Sequence, residues 1–409
     1  MKNLYEELKK RDLIAQCTNE EKVKNILQNE KVKFYIGFEP TADSLHVGHF
    51  VQLMIASRLQ KEGHFPIILF GGATALVGDP SGKTDMRKMM TQETINHNIE
   101  CFIKQASKFI DFSPNKALIL NNYEWLGNLN YIKFLREIGV HFSVNRMLAA
   151  ECYKQRLEKG LTFFELNYML MQSYDFLMLN RNYDCTFELG GDDQWSNIIG
   201  GVELVRKMDK KEVYGLTFKL LTTSEGKKMG KTEKGALWLD ANKTSPYDFY
   251  QYWRNIDDKD VLNCFNMLTF LPTDEILSFK NLNGSEINKA KERLAFEITK
   301  LVHGEEEAMK AHNAAKSLFE NQGKNDENMP SFEVSPDYLK DSETDILSIL
   351  KLSSIATSKS EARRLVEQGG ISIDGNKISD VNFRISYEKL KQGIIIKKGK
   401  KIFKKVFSK

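Results

Sequence analysis

Two closely spaced histidines form the strongest chemical motif in the chain. The segment Pro40-Thr-Ala-Asp-Ser-Leu-His-Val-Gly-His49 places His46 and His49 three residues apart, where a predicted strand passes into a predicted helix. Free N–H groups at a helix N-terminus favour phosphate, and imidazoles there can donate to its oxygens as charge develops. The intervening Gly48 leaves room for an adenine or a phosphate beside the backbone. A capping or core role would account for His46 alone. A zinc pair is disfavoured, because no further ligand lies at helical spacing.

A lysine motif and a glycine-rich segment are the next candidates for phosphate chemistry. Lys228-Met-Gly-Lys-Thr232 carries two lysines on a glycine-flanked loop, about 180 residues after the histidines. Such lysines could neutralise a triphosphate, although alone they would be typical of an ordinary surface cluster. Gly78-Asp-Pro-Ser-Gly-Lys-Thr84 resembles a P-loop but has three residues between its glycines, where the motif needs four. A P-loop NTPase is therefore excluded, while Lys83 and Arg87 can still reach phosphates.

Polar residues on one predicted helix favour a polar pocket wall. Tyr168, Gln172 and Asp175 lie at i, i+4 and i+7, on one face of an otherwise apolar segment. An amphipathic surface helix would explain this pattern if it stood alone. Gly190-Gly-Asp-Asp-Gln-Trp195 adds a strand-end turn rich in carboxylate and amide, which suits a ribose or an amino-acid backbone. Asp79 is free to face a cationic amino group.

The elements that position these groups alternate between strand and helix. Strands are predicted at Lys33–Phe38, Pro66–Phe70, Ala117–Leu120 and Cys185–Leu189, and each is closed by Gly, Pro or Asn. Apolar strands alternating with helices favour a mostly parallel sheet, in which ligands bind beyond the carboxyl ends of the strands. We therefore predict an α/β fold with a Rossmann-like catalytic domain over residues 1–240.

Three further segments are predicted after the catalytic domain. Residues 241–320 have the aromatic and leucine periodicity of an α-helical domain, and residues 321–343 form an acidic linker. Residues 344–409 are predicted to be a small basic α+β domain. Within it, Ser358–Glu367 should be a helix with Ala362, Leu365 and Val366 inward, followed by a strand pair turning at Asp374-Gly375.

The charge distribution favours a polyanionic partner. The net charge is +4, but residues 351–409 alone carry +10, which leaves −6 on the rest. A basic module on an acidic body is typical of nucleic-acid binding, although a solvated lysine surface would also explain the charge.

Composition narrows the class of protein. The chain has 409 residues, of which 41% are hydrophobic and 28% charged, so wholesale disorder is excluded. Its longest mostly apolar stretch, Phe65–Gly78, is too short to span a membrane, and the N-terminus does not resemble a signal peptide. Five scattered cysteines without a Cys-x-x-Cys argue against disulfides and structural zinc, so a reducing cytoplasm is expected.

With these residues in place, the chain resembles the bacterial tyrosyl-tRNA synthetases, a family of class I aminoacyl-tRNA synthetases, over essentially its whole length. His46-Val-Gly-His49 is similar to the HIGH signature and Lys228-Met-Gly-Lys-Thr232 to the KMSKS signature. Blocks typical of the tyrosine enzymes begin at Tyr35, Gly71, Gly78 and Gln172. The basic C-terminal module resembles an RNA-binding domain shared with a small-subunit ribosomal protein.

The resemblance implies a reaction and a set of site residues. It implies tyrosine–tRNA ligase activity, with L-tyrosine, ATP with Mg²⁺, and tRNA(Tyr) as substrates or partners, no organic cofactor, no protein-held metal and a cytoplasmic homodimer. The implied tyrosine-binding residues are Tyr35, Asp79, Tyr168, Gln172, Asp175 and Gln194. Those implied to act on ATP and pyrophosphate in catalysis are Thr41, His46, His49, Lys83, Arg87, Lys228 and Lys231. The residues implied to bind ATP without a direct part in catalysis are Gly37, Glu39, Gly48, Gly191 and Asp193. Lys231 is implied in both roles.

The tRNA contacts are expected on the basic module, at Lys359, Arg363 and Arg364. Four positions depart from the family pattern: Glu39 stands for Asp, Ile36 for Cys, Gln52 for Thr, and Asp192 for Ser. These departures put the ribose contacts in question. Two other classes stay open, a nucleotidyltransferase with a different substrate and a catalytically inactive RNA-binding regulator.

Overall fold

The computed structural model describes most of the chain, as two compact units. The described residues are 4–83, 85–87, 89–232, 235–282, 284–320, 331–335, 338, 343–399 and 402–408. The first unit contains residues 1–244 and 255–294, and the second contains residues 245–254 and 295–409. The sequence-based boundaries at 240, 320 and 343 stay a prediction.

A six-stranded sheet organises the first unit. Its strands are β1 (Ile14–Cys17), β2 (Lys33–Phe38), β3 (Phe65–Phe70), β4 (Leu118–Asn121), β5 (Cys185–Gly191) and β6 (Tyr214–Phe218). Their order is β1-β6-β5-β2-β3-β4, and every pair is parallel except β1 with β6. The chain moves outward from β2 to β4 and then returns to the other side of β2. That reversal between β2 and β5 creates the crevice in which parallel sheets bind ligands.

Helices connect and cover these strands. They are Leu4–Lys10, Glu20–Asn29, Val47–Lys61, Thr74–Val77, Gln92–Ala106, Tyr123–Leu126, Tyr131–Glu137, Val144–Leu148, Glu151–Lys159, Phe163–Leu166, Tyr168–Tyr183, Trp195–Asp209, Val261–Leu268 and Thr273–Ser278. Short 3₁₀ turns lie at Gly139–His141, Asp192–Gln194 and Asp258–Asp260. The core is built from fully buried side chains of the central strands and of the helices against them, such as Phe34, Ile68, Phe176 and Leu216.

The predicted α/β fold is confirmed, and the four predicted strands fall on β2 to β5. The two strands of this sheet that the pattern did not indicate are β1 and β6; a separate short antiparallel pair, Lys231–Thr232 with Gly235–Ala236, was not predicted either. β1 is short and half-buried along its length, so it lacks the apolar run that marks a central strand. β6 is fully buried but includes a glycine and a threonine among its five residues.

The second unit combines helices with a small β-rich domain. Its helices include Pro246–Arg254, Glu305–Glu320, Ile346–Leu352, Lys359–Glu367 and Tyr387–Gln392, and Ser285–His303 runs from the first unit into it. Its strands are Ser331–Glu333, Glu343–Asp345, Ile371–Ile373, Asn376–Ile378, Arg384–Ser386, Ile394–Lys398 and Ile402–Phe407. Five of them form one sheet and two form another.

The predicted helix of the basic module lies at Lys359–Glu367. Ser358 caps it, with its side chain accepting from the N–H of Glu361. Ala362 and Val366 are buried, and Leu365 packs partly against the same core. The strand pair Ile371–Ile373 and Asn376–Ile378 is antiparallel, and both residues of its turn have positive φ, 50° at Asp374 and 84° at Gly375. No helix among the described residues is long and apolar enough to cross a membrane.

Candidate active site

A cavity of about 370 Å³ lies in the first unit, at the carboxyl ends of β2, β3 and β5. Helix N-termini complete its wall, together with the loop that carries Lys228-Met-Gly-Lys-Thr232, here called the lysine loop. It gathers sixteen of the residues named as site candidates from the sequence. These are Tyr35, Gly37, Glu39, His46, Gly48, His49, Asp79, Lys83, Arg87, Tyr168, Gln172, Asp175, Gly191, Asp193, Gln194 and Lys228.

The two histidines cap the helix Val47–Lys61 for each other. His46 is the N-cap, and its Nδ1 accepts from the N–H of Gly48 at 3.0 Å. His49 Nδ1 accepts from the N–H of His46 at 3.2 Å, and the two rings stack with centroids 3.9 Å apart. A side chain at position 48 would meet the His46 ring, since a Cβ there would lie 2.8 Å from it. Gly48 is therefore required by the cap itself, a reason that the sequence motif did not reveal.

Burial keeps both imidazoles neutral at neutral pH. Desolvation is the main cause, and the cations Lys83 and Lys228 add to it, so the pKa of His46 falls to about 4. Desolvation also holds the pKa of His49 well below its usual value, helped by His46 and Arg87. A neutral imidazole that accepts at Nδ1 carries its proton on Nε2. Each ring can therefore donate one hydrogen bond from Nε2 to an anionic ligand.

The lysine loop packs against the start of the same helix. Gly230 lies against Val47, since a Cβ on Gly230 would be 3.2 Å from the Cβ of Val47. The N–H of Val47 donates to the carbonyl of Leu237, just beyond the loop. Lys228 Nζ lies 3.4 Å from Asp193 Oδ2, so the lysine reaches across to the turn after β5. The fold thus joins the two signatures at one helix terminus.

Asp175 forms the deep end of the cavity with partners that the sequence did not indicate. Trp125 Nε1 donates to its Oδ1 at 2.7 Å, and Asn122 Nδ2 donates to its Oδ2 at 2.9 Å. Asp175 is 3% exposed, and burial raises its pKa to about 8 against the opposing effect of these two donors. The hydroxyl of Tyr35 is buried, makes no hydrogen bond of standard geometry, and faces the carboxyl of Glu188. An aspartate held this way can accept a further hydrogen bond from a hydroxyl.

Two further carboxyls, those of Asp79 and Glu39, line the same cavity. Asp79 Oδ2 accepts from Gln194 Nε2 at 2.7 Å, and its Oδ1 accepts from the N–H of Ser81 at 2.9 Å. Burial raises the pKa of Asp79. Glu39 Oε1 accepts from the Tyr168 hydroxyl at 2.8 Å and from Thr74 at 2.7 Å. Desolvation raises the pKa of Glu39 to about 7.

Glu188 is a further carboxyl of the cavity, and sequence reasoning missed it. It lies in the middle of β5, is 1% exposed, and lines the cavity. Its Oε1 accepts from Gln172 Nε2 at 2.9 Å, and desolvation raises its pKa to about 7. An acid inside a buried parallel strand was the available signal, because such residues are almost never fully buried without a partner.

Several buried acceptors in the cavity have no partner among the described residues. They are Glu39 Oε2, Gln172 Oε1 and Glu188 Oε2. Unsatisfied buried acceptors are costly, and native structures hold few of them. Of these, Glu39 Oε2 and Gln172 Oε1, in the same cavity as Asp79, are acceptors suited to a ligand rich in N–H donors, such as an ammonium group.

Two residues singled out from the sequence, Thr41 and Ile36, are not among the described residues that line the cavity. Thr41 is exposed and is not among the lining residues, so its role stays a prediction. The side chain of Lys231 lies outside the described residues. Ile36 is 1% exposed and does not line the cavity either. Of the other two departures, Gln52 lines the cavity, and Asp192 accepts from Gln16 Nε2 at 2.7 Å.

The three predicted tRNA contacts occur in the second unit. Lys359, Arg363 and Arg364 are all exposed on the helix Lys359–Glu367. Lys398 on a neighbouring strand is instead tied to Glu361 at 3.0 Å and to the carbonyl of Ile355. Lys359 Nζ lies 4.0 Å from Asp345 Oδ2, an exposed pair, so all three helical cations remain accessible to an anionic partner, whereas Lys398 stabilises the domain.

Two family models together cover most of the chain. The model of class I tRNA synthetases for tryptophan and tyrosine matches residues 27–320. The model described as a tyrosine–tRNA ligase SYY-like C-terminal domain matches residues 321–406.

Curated relatives match at full length. Tyrosine–tRNA ligase of Acetivibrio thermocellus is 59% identical over 407 residues, which are 99% of each chain. The enzyme of the same name from Clostridium botulinum strain Loch Maree is 58% identical over the same length.

Solved structures share the fold. A C-terminally truncated mitochondrial tyrosyl-tRNA synthetase from Aspergillus nidulans has a TM-score of 0.69 at 29% identity, covering 78% of this chain and 95% of its own. An Archaeoglobus fulgidus tyrosyl-tRNA synthetase crystallised with L-tyrosine has a TM-score of 0.57 at 16% identity, covering 76% of this chain and 99% of its own. At that identity the second match supports the fold alone.

Proposed function

This chain belongs to the class I tRNA synthetases, in the tyrosine–tRNA ligase family, and we propose that it attaches L-tyrosine to tRNA(Tyr) at the expense of ATP. The observation that carries the proposal is one cavity that joins two chemistries. The buried pair Tyr35 and Asp175 forms one end, and the donors His46 and His49 at a helix N-terminus form another. A phenol suits the first and a polyphosphate the second.

Tyrosine binds with its hydroxyl between Tyr35 and Asp175. Its ammonium group lies among Asp79, Tyr168 and Gln172, where the unpartnered acceptors are found. Gln194 lies near the substrate carboxylate once it turns from Asp79. A site that hydrogen-bonds a hydroxyl rejects the analogue lacking it, a rule for which tyrosine–tRNA ligases are themselves the standard example. Phenylalanine would leave Tyr35 and Asp175 without the hydroxyl that lies between them.

ATP occupies the part of the cavity bounded by the helix start and the lysine loop. Gly37, Gly191 and Asp193 face the adenosine, and Glu39 lies on the side toward the substrate amino group. Gly48 allows close approach of the nucleotide to the helix terminus. Mg²⁺ accompanies the nucleotide on phosphate oxygens and water, since this ion keeps several waters and takes few protein ligands.

In the first step, a carboxylate oxygen of tyrosine attacks the α-phosphorus of ATP. A new O–P bond forms as the bond to the β-phosphate oxygen breaks, giving tyrosyl-adenylate and pyrophosphate. Thr41 and the Nε2–H groups of His46 and His49 stabilise the developing charge. Lys83, Arg87, Lys228 and Lys231 neutralise the leaving pyrophosphate. This is catalysis by positioning and charge stabilisation, without an enzyme-bound covalent intermediate.

In the second step, a hydroxyl at the 3′ end of tRNA attacks the tyrosyl carbonyl and AMP leaves. The basic module contributes to holding the tRNA. Lys359, Arg363 and Arg364 are exposed on one helix of a segment with net charge +10, and such cations bind phosphates.

The chain functions as a homodimer in the cytoplasm. Seven large apolar side chains between residues 131 and 164 are more than 40% exposed, namely Tyr131, Ile132, Val140, Val144, Leu157, Phe163 and Phe164. Exposed apolar surface of this kind is typical of protein interfaces. Light scattering after size-exclusion chromatography tests the assembly, and replacing Phe163 with Asp should shift the mass from dimer to monomer.

Amino-acid-dependent exchange between ATP and labelled pyrophosphate tests the reaction. Tyrosine should support exchange and the other amino acids should not. Exchange with a different carboxylic acid would favour the other nucleotidyltransferase class. Absence of exchange together with retained tRNA binding would indicate an RNA-binding regulator. Charging of tRNA(Tyr) then tests the second step.

A further inference from the structure

Glu188 is a buried acid to which neither catalytic step assigns a role. It faces the cavity from β5, and its register partner on β2 is Tyr35. On the other side, the helix Trp195–Asp209 approaches closely, since a Cβ on Gly201 would lie 3.1 Å from Glu188 Oε2. Keeping a carboxyl in such a place is costly unless something uses it.

The carboxyl of Glu188 is hydrogen-bonded to the side-chain amide of Gln172. Gln172 Nε2 donates to Glu188 Oε1, while Gln172 Oε1 is buried in the same cavity without a partner. The ionised carboxyl of Glu188 can only accept hydrogen bonds, so in that state the NH₂ end of the amide must face Glu188. The carbonyl end is then left to the cavity. A neutral glutamine at position 188 could pair with either end of the Gln172 amide and would not fix its orientation.

We propose that Glu188 is a positioning residue that holds the Gln172 amide with its carbonyl oxygen toward the ammonium group of the substrate. The inference rests on the proposed function and deepens it, because it assigns recognition of the amino group to a pair of side chains. The ionisable groups near Glu188 are its register partner Tyr35 on β2, Cys185 on its own strand, and Asp175 on the helix Tyr168–Tyr183. None of these is a cation. The Tyr35 hydroxyl also contacts Glu188, and a glutamine at position 188 keeps an oxygen for that contact.

Two ligands separate this role from a general effect on the pocket. L-Tyrosine carries the ammonium group, and 3-(4-hydroxyphenyl)propanoate lacks it but keeps the phenol and carboxylate. In Glu188→Gln, the dissociation constant of tyrosine should rise about 10-fold or more, the range expected for one hydrogen bond to a charged group. The inhibition constant of the propanoate in pyrophosphate exchange should not change. The turnover of adenylate formation at saturating tyrosine should stay close to that of the unmodified protein, so KM rises and kcat does not.

A double-mutant cycle tests whether Glu188 acts through Gln172. In a Gln172→Ala background, Glu188→Gln should cause little further loss of tyrosine affinity. A full loss in that background would overturn the proposal and indicate that Glu188 contacts the ammonium group itself. Equal losses for tyrosine and the propanoate would also overturn it, since they point to the ring pocket or to folding.

The failure of the inference differs from the failure of the proposed function. If the unmodified protein activates tyrosine and Glu188→Gln binds it equally well, only the inference is wrong. If the unmodified protein does not activate tyrosine at all, the proposed function is wrong, and the inference falls with it.

Discussion

Replacing Trp125 with Phe should weaken the recognition of the tyrosine hydroxyl without emptying the pocket. The substitution deletes the indole N–H that donates to Asp175 Oδ1 at 2.7 Å and leaves the bond from Asn122 at 2.9 Å. Because the Trp125 donor opposes the effect of burial, the pKa of Asp175 should rise further above about 8. Asp175 would then be less often ionised at neutral pH and a poorer acceptor for the substrate.

The expected magnitude follows from the lost bond. A hydrogen bond to a charged group is worth about 1.5–3 kcal/mol, which corresponds to roughly 10-fold to 150-fold in kcat/KM for tyrosine. Phenylalanine has no hydroxyl for Asp175 to bind, so its kcat/KM should hardly change. The preference for tyrosine over phenylalanine should therefore fall by about the same factor.

Pyrophosphate exchange with the two amino acids, measured side by side, gives this ratio. Tyr183→Phe is a matched control, because it removes a polar group from an aromatic residue at the far end of the helix that carries Asp175. It should leave both substrates unchanged. An unaltered tyrosine-to-phenylalanine ratio in Trp125→Phe would refute the reasoning. Equal losses for both substrates would indicate a packing defect instead.

Three further outcomes are expected. His49→Asn keeps an acceptor near the Nδ1 position for the N–H of His46 but deletes the Nε2 donor. Single-turnover adenylate formation should therefore slow roughly 10²–10³-fold, while the affinity for tyrosine stays unchanged. An equal loss of tyrosine affinity would contradict this prediction. Tyrosine binding at pH 7 should release protons, because the ammonium group of the substrate lowers the raised pKa values of Asp175, Glu188 and Glu39. Calorimetry in two buffers of different ionisation enthalpy measures this proton exchange, and proton uptake on binding would contradict the prediction. Ending the chain at Asp341 should leave adenylate formation intact and abolish most tRNA charging. The charging that remains should depend less on salt concentration, because phosphate contacts have been lost. Full charging at moderate salt would mean that the basic module is dispensable.

Periodicity and strand-end residues were sufficient to predict the parallel sheet and to locate β2 to β5. They also placed the helix Lys359–Glu367 and the turn at Asp374-Gly375, because capping and positive φ leave clear local signals. β1 escaped because a half-buried strand of four residues has no distinctive pattern.

The candidate site was predictable where a motif concentrates its residues. His46 and Lys228 were identified from such motifs, and the cavity unites them. Trp125 was not, because its contact with Asp175 joins residues 50 positions apart in different helices. Glu188 was included in a predicted strand, but its role depends on which side chain faces it, and spacing along one strand cannot supply that information.

Because His46 and His49 cap the helix reciprocally, the two nitrogens of each ring have different roles. Nδ1 is engaged with the backbone of the first helical turn, so the imidazoles are held by the same bonds that fold the helix. Nε2 is left for the nucleotide, and meeting it requires no rearrangement of the cap. The donors are thus preorganised, and little conformational entropy is lost when ATP binds. A corollary is that helix stability and turnover are separable at these two positions, so a substitution that keeps the capping acceptor can preserve the helix while slowing turnover.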